Sequence, residues 1–194
     1  MSKDIPIIKS WVAYLEQTAP VKSEYKNTSS DLKIVRQKDV SADDYLNIYR
    51  EVGRDYIWNY RPSQTKQEVQ SIISSPDTHL FYFYQGDDVI GFSEVDALNP
   101  KEVEIVHFGF LPKYINKGFG KIIFQMLLNA LWELKPERLI LSTCGLDHPK
   151  AVKFYEAAGF SVFKKKEDVE FQDYRYTDFY ELTDAPQIPL AKSK

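Results

Sequence analysis

Residues 103–134, VEIVHFGFLPKYINKGFGKIIFQMLLNALWEL, place two glycines between a strand-like run and a long amphipathic one. The run over 103–110 predicts a strand. From Phe119 to Leu134, apolar residues recur at three- and four-residue spacing, which predicts a helix over 118–134. RLILSTC (138–144) is nearly all apolar, as expected of a strand buried on both faces. A strand, a helix and a strand in this order predict a parallel pair joined by a right-handed crossover.

The segments before this unit predict further strands and two helices. LKIVRQ (32–37) is strand-like, and SADDYLNIYREVG (41–53) has the capping pattern of a helix start at Ser41. A second helix is expected from Thr65 to Ser74. HLFYFYQ (79–85) and VIGFSEV (89–95) flank a Gly-Asp-Asp turn and predict a hairpin.

The segments after it predict one short helix and two final strands. The helix ends at Gly159, and the strands are FSVFKKK (160–166) and YTDFYEL (176–182). The expected fold class is therefore α/β (α+β), in the order β-α-α-β-β-β-α-β-α-β-β. Its central sheet is mixed but mostly antiparallel, with about seven strands and helices on both faces.

The two ends of the chain are expected to lie outside a single domain over 31–183. Ile8, Trp11, Val12 and Leu15 share one helical face, which predicts an N-terminal helical extension and linker over 1–30. That face is expected to dock on the domain or on a second subunit, so a homodimer is one expectation. Residues 184–194 are expected to form a flexible tail.

Composition excludes several classes of function. The net charge of −3 argues against a nucleic-acid-binding domain. One cysteine and three scattered histidines predict no metal site. The sequence contains no apolar stretch of the roughly 20 residues that span a bilayer and no signal peptide, so we expect a cytoplasmic protein without membrane contact.

Gly118 and Gly120 stand where the predicted long helix begins. A helix start leaves backbone N–H groups unpaired, with the positive end of the helix dipole behind them. Glycine lets a large anion approach those amides, so the stretch is either a tight turn or a phosphate-binding loop. It matches neither the GxxxxGK[ST] pattern of a Walker A loop nor a dinucleotide fingerprint.

Two spaced motifs resemble the GNAT superfamily of N-acetyltransferases. INKGFG (115–120), preceded by Pro112, is similar to the family's acetyl-CoA loop, Arg/Gln-x-x-Gly-x-Gly/Ala. HPKAVKFYEAAGF (148–160) is similar to a second family segment, Asn-x-x-Ala-x-x-x-Tyr-x-x-x-Gly-Phe. The resemblance follows the element order from about 32 to 182, is motif-specific from 104 to 160, and points to a bacterial acetyltransferase-like subgroup.

This resemblance implies acetyl-CoA as co-substrate and an amine-bearing acceptor. The residues that it implies for acetyl-CoA binding are Phe108, Phe110, Leu111, Ile115, Asn116, Lys117, Gly118, Phe119, Gly120, Lys121, His148, Ala151 and Phe154. It also implies that a backbone N–H near Phe110 and Leu111 stabilises the reacting carbonyl oxygen. Ile115 replaces the usual Arg or Gln and His148 the usual Asn, so lower affinity for CoA, without loss of binding, is one expectation.

Glu104 is the predicted general base. It lies fourteen positions before Gly118, where histone-acetylating members of the superfamily resemble this chain and carry a catalytic glutamate. Its apolar neighbours on the strand should raise its pKa, as a base working near neutral pH requires. Glu94, Asp96 and His107 are the alternatives.

Tyr155 is the predicted proton donor to the departing thiolate, because the resemblance places the family's tyrosine there and a phenol has a suitable pKa of about 10. Cys144 is expected to be a buried strand thiol, since no His–Asp pair accompanies it.

The expected function is therefore transfer of an acetyl group from acetyl-CoA to a primary amine by direct attack in a ternary complex. The alternative is an acyl-CoA-binding sensor or interaction module with the same fold and no turnover. REVGRDYIWNYRP (50–62) and EDVEFQDYRYTDF (167–179) are rich in aromatic and acidic residues, which favours a cationic amine as acceptor.

Overall fold

The computed structural model describes residues 6–21, 31–58 and 61–172. The strands are β1 (Ile7–Gln17), β2 (Leu32–Gln37), β3 (Thr78–Gln85), β4 (Asp88–Asp96), β5 (Glu102–Phe110), β6 (Arg138–Cys144) and β7 (Ser161–Gln172). The helices are α1 (Ala42–Gly53), α2 (Lys66–Ile73), α3 (Phe119–Trp132) and α4 (Ala151–Ala157).

The described strands form one seven-stranded sheet in the order β2-β3-β4-β5-β6-β1-β7. Only β5 and β6 are paired in parallel, and the other five pairs are antiparallel. The β5–α3–β6 crossover predicted from residues 103–144 is thus present, and the mixed, mostly antiparallel fold class is confirmed.

The N-terminal segment is a strand, so the predicted N-terminal helix is wrong. β1 lies between β6 and β7 and pairs with both. Ala13, Leu15 and Gln17 alternate toward the interior and are at most 2% exposed. Ile8, Val12 and Leu15 have the spacing of a helical face, although in the strand Leu15 lies on the opposite face from the other two, and pairing with strands far away in the sequence overrides the helical pattern.

The side chain of Gln17 connects β1 to other parts of the domain by hydrogen bonds. Its side-chain amide nitrogen donates to the carbonyl of Ala158 at 2.7 Å, and its amide oxygen accepts from the Trp132 indole at 2.7 Å. When both the donor and the acceptor of a buried amide are hydrogen-bonded, the amide contributes to the stability of the fold instead of lowering it. The folded unit therefore begins within the predicted extension, before residue 31. The predicted strand over 176–182, most of the predicted linker and the predicted tail lie outside the described residues.

Each face of the sheet carries its own hydrophobic cluster. On one face, α3 and α4 pack over inward residues that include Leu15, Phe83 and Ile105. On the other face, α1 and α2 pack over Leu80 and Phe92. This arrangement agrees with the prediction of helices on both faces. Within the described ranges, no helix combines the length and apolar character needed to cross a membrane.

The placement of β1 predicts that Ala13→Glu prevents stable folding. Ala13 is 2% exposed, so an unpaired carboxylate there should lower the free energy of unfolding by about 3–5 kcal/mol. Ile7→Glu is the matched control, because Ile7 is 59% exposed on the same strand and should tolerate the charge. Urea unfolding measures both variants. An equally mild effect of the two substitutions would contradict the strand, since a helix with the predicted apolar face leaves Ala13 exposed.

Candidate active site

The site begins where β5 and β6 separate. The two strands pair from Glu102 with Arg138 to Ile105 with Leu141, and not beyond. At the same point the β4–β5 register shifts, so that Val106 is an extra residue between two successive pairs. Such a β-bulge bends its strand. Because both strands continue past it, their ends diverge and leave a gap.

A cavity of about 730 Å³ occupies this gap. The sequence-predicted residues that line it are Phe108, Phe110, Ile115, Asn116, Gly118, Phe119, Gly120, Lys121, His148, Ala151, Phe154 and Tyr155. Leu111, Lys117 and Glu104 are not among its lining residues. The two motifs from distant parts of the sequence therefore meet around one space.

One end of the cavity lies at the start of α3. Gly118 caps that helix with a φ of 86°, a left-handed conformation that suits glycine. Apart from Gly118 itself and its neighbours along the chain, no described atom lies within 4 Å of the position where a Cβ would stand. The first N–H groups of α3 have no partner within the helix. Open space and unpaired donors together fit an anionic group.

The backbone of β5 forms one wall of the cavity. The Leu111 N–H donates to the Ile90 carbonyl at 2.9 Å and is therefore not free for the carbonyl oxygen, contrary to one part of the sequence prediction. Backbone donors alternate between the two edges of a strand, so the Phe110 N–H points toward the opposite edge, where β6 has diverged. Phe110 is therefore the better candidate of the two.

Tyr155 and Cys144 line the other side. Tyr155 is packed against Phe124 and Phe154, and burial raises the pKa of its phenol well above the usual value. Burial, with the nearby Asp147 carboxylate, raises the pKa of the Cys144 thiol to about 12. At neutral pH both groups keep their protons, so Cys144 is not an activated nucleophile.

A buried charged network lies behind the cavity on the α1 side of the sheet. Glu94 is 1% exposed, forms an ion pair with Arg61 and accepts a hydrogen bond from the Tyr45 hydroxyl. Burial alone would raise the pKa of Glu94, but His107 and Arg61 outweigh it and hold this pKa at about 2. Glu94 is therefore a carboxylate at any physiological pH.

His107 connects that network to the cavity. It lines the cavity and lies opposite Glu94 in the β4–β5 ladder, beside the bulge. Its Nδ1 is 3.3 Å from a Glu94 carboxylate oxygen, and its Nε2 is 3.3 Å from the Tyr49 hydroxyl. Glu94 accepts only, so in neutral His107 the proton belongs on Nδ1 and Nε2 is the acceptor.

Glu104 lies before the divergence rather than in it. It is opposite Asp96 on β4 and Ile140 on β6, within the paired part of the sheet. Burial, followed by the charges of Asp96 and Glu102, raises its pKa as the sequence predicted. The raised pKa suits a base, but the cavity wall does not include this side chain.

Several lining residues were not predicted individually, although the sequence pointed to the stretch 50–62 as part of the acceptor side. Tyr49, Val52, Tyr56, Ile57 and Trp58 come from α1 and the segment after it. Asp147 follows β6, and its carboxylate accepts hydrogen bonds from the Trp58 indole at 3.1 Å and from the Thr143 hydroxyl at 2.8 Å. The aromatic richness of 50–62 was a signal for this wall, whereas nothing local marked Asp147.

The chain matches the acetyltransferase (GNAT) family model over residues 45–160, more than half of its length. The chain belongs to the GNAT acetyltransferase family. This confirms the resemblance seen in the two motifs, and the matched range holds both motifs, β3 to β6, α2 to α4 and most of α1. No curated protein matches the chain.

Solved structures of other GNAT proteins have the same fold. A spermidine N-acetyltransferase from Vibrio cholerae, in complex with CoA and spermine, is 18% identical with a TM-score of 0.56, over 76% of this chain and 98% of that one. A GNAT family acetyltransferase from Elizabethkingia anophelis with acetyl-CoA bound is 14% identical with a TM-score of 0.54, over 70% of this chain and 79% of that one.

A conserved protein of unknown function from Staphylococcus epidermidis is also similar. It is 18% identical with a TM-score of 0.62, and the match covers 86% of this chain but 63% of that protein. The chain thus spans less than two thirds of this relative. At these identities the solved structures show a shared fold.

The Glu94 network predicts a pH-dependent stability. The folded pKa of about 2 is below the value of about 4.3 for a free glutamate, so the stabilisation is complete above the latter and declines as pH falls toward 2. At pH 7, Glu94→Gln should lower the free energy of unfolding by about 3–5 kcal/mol, because it removes the buried carboxylate that pairs with Arg61. The difference from wild type should narrow between about pH 5 and pH 2.

Urea unfolding at several pH values measures this difference. Glu137→Gln is the control, since Glu137 pairs with Lys101 at the surface and should contribute less than about 1 kcal/mol. A difference that does not change with pH would contradict the low pKa of Glu94.

Proposed function

We propose that the protein transfers an acetyl group from acetyl-CoA to a primary amine. The observation that carries this proposal is that one cavity is lined by the start of α3, by both sides of the gap between β5 and β6, and by His107. The family match and the relatives solved with CoA or acetyl-CoA support the same activity. The acceptor and the residue roles below are part of the proposal.

The chain's own residues fit acetyl-CoA along that path. The backbone N–H groups from Gly118 to Gly120, at the start of α3, would hold the pyrophosphate, with Lys121 adding positive charge. The free edge of β5 near Phe108 and Phe110 would pair with the amide-bearing arm. Ile115 lines this end with an aliphatic side chain, so backbone donors carry more of the anion binding than a side chain does.

In the reaction, a bond forms between the amine nitrogen and the acetyl carbon, and the bond from that carbon to sulfur breaks. The amine must lose a proton, and the thiolate must gain one. We assign the removal of the amine proton to His107, because Glu94 holds its proton on Nδ1 and its Nε2 is an acceptor at the cavity wall, where the amine would take the place of the Tyr49 hydroxyl that lies 3.3 Å away. Glu94 is a positioning residue here.

Two further groups complete the assignment. The Phe110 N–H stabilises the negative charge that develops on the carbonyl oxygen. Tyr155 protonates the leaving thiolate, since burial keeps its phenol in the protonated form. Glu104 stays a prediction from the sequence, and its raised pKa makes it the competing base.

We expect the purified protein to release free thiol from acetyl-CoA in the presence of a primary amine. His107→Gln should lower kcat by about 100-fold or more, because a missing general base costs that much. Its loss should exceed that of Glu104→Gln, and the reverse order would assign the base to Glu104. Tyr155→Phe should lower kcat with little change in the affinity for acetyl-CoA. Lys66→Ala, at an exposed position remote from the cavity, is the control.

A thermal shift with CoA separates this proposal from a non-catalytic acyl-CoA sensor. Binding should raise the melting temperature of wild type and of all four variants. Stabilisation by CoA without thiol release from any amine would favour the sensor. No stabilisation at millimolar CoA would contradict both functions.

A further inference from the structure

The acceptor end of the cavity has a distinctive chemistry, and this inference rests on the proposed acetyl transfer. The wall beside His107 consists of aromatic and aliphatic side chains from α1 and the segment after it. They are Tyr49, Val52, Tyr56, Ile57 and Trp58. Within the described chain, Asp147 is the one carboxylate that lines the cavity. Among the residues that the structure describes, a molecule bound here meets mostly apolar surface and one carboxylate.

Asp147 is already engaged in holding the protein together. One carboxylate oxygen accepts the Trp58 indole N–H at 3.1 Å. The other accepts the Thr143 hydroxyl at 2.8 Å and the Cys144 N–H at 3.0 Å. Three donors leave this group little capacity to bind a cation. A chain with several ammonium groups needs several such partners.

The orientation of the Trp58 indole in the site is fixed by packing and by a hydrogen bond. Its ring packs against the backbone at Gly53 and Gly109, where any Cβ would collide with the indole or with Val52. The Asp147 hydrogen bond fixes the far edge of the indole. Its ring centroid lies 5.2 Å from that of His107 and 5.5 Å from that of Tyr49. A flat apolar surface is therefore fixed in place next to the assigned base.

We propose that the acceptor is a primary amine joined by a short chain to an aromatic ring. The ring lies against Trp58, and the amine reaches His107. Trp58 is then the residue that determines the choice of acceptor. The chemistry differs from that of a polyamine, the ligand named for the related structure from Vibrio cholerae, which offers charge along its length and no flat face.

Thiol release from acetyl-CoA with three amines tests this inference on the full-length protein. The amines are phenethylamine, the linear n-hexylamine and spermidine. Phenethylamine should show a kcat/KM about tenfold higher than either of the others, as expected for one good aromatic contact. Preference for n-hexylamine or spermidine would overturn the inference while leaving acetyl transfer in place. Absence of turnover with all three in a protein that CoA stabilises would also overturn the inference, whereas acetyl transfer itself is contradicted only when no amine supports thiol release.

Two variants of Trp58 test whether this residue is responsible for the preference for phenethylamine. Trp58→Leu should raise KM for phenethylamine about tenfold and remove the preference over n-hexylamine, whereas Trp58→Phe should retain most of it because a ring remains. A thermal shift with CoA confirms that each variant is folded. Undiminished preference in Trp58→Leu would overturn the role of Trp58. Equal loss in both variants would also overturn it, because the indole would then act only through its hydrogen bond to Asp147.

Discussion

The geometry of the site depends on one constraint, the end of pairing between β5 and β6 after Ile105 and Leu141. The bulge at Val106 produces it, since β5 cannot keep both its antiparallel register with β4 and its parallel register with β6. Beyond that point the facing edges of these two interior strands have no strand partner among the described residues. Backbone groups in such a gap need other partners, so the fold creates a site for a ligand with amide groups before any side chain is considered.

The same bulge explains why a charged network is retained in the core. It brings His107 opposite Glu94, whose carboxylate is buried with Arg61. Buried ion pairs seldom add stability compared with well-packed apolar side chains. Here the carboxylate fixes which His107 nitrogen carries the proton, and it leaves the other nitrogen as an acceptor between the Tyr49 hydroxyl and the cavity. The cost in stability is thus consistent with a role in catalysis.

The sequence predicted the central part of the fold well because the signals there are local. Strong helical periodicity from Phe119, an apolar strand after it and the glycines between them define β5, α3 and β6 together. The N-terminal prediction failed because Val12 and Leu15 have helical spacing although they lie on opposite faces of the strand, and only pairing with β6 and β7 selects the strand. Trp58 and Asp147 are 89 residues apart, and neither has a local pattern that points to the other.

The position of β1 also has a consequence for the site. β1 pairs along β6 up to Val12 with Cys144, and the Trp11 carbonyl then accepts the Gly145 N–H at 3.1 Å. Val12 itself lines the cavity. β6 diverges from β5 on one side but stays paired with β1 on the other. The end of β6, where the loop with Asp147 begins, is therefore held in place. The N-terminal strand, predicted as an appendage, is therefore part of the frame that holds Trp58 and His107 against the gap.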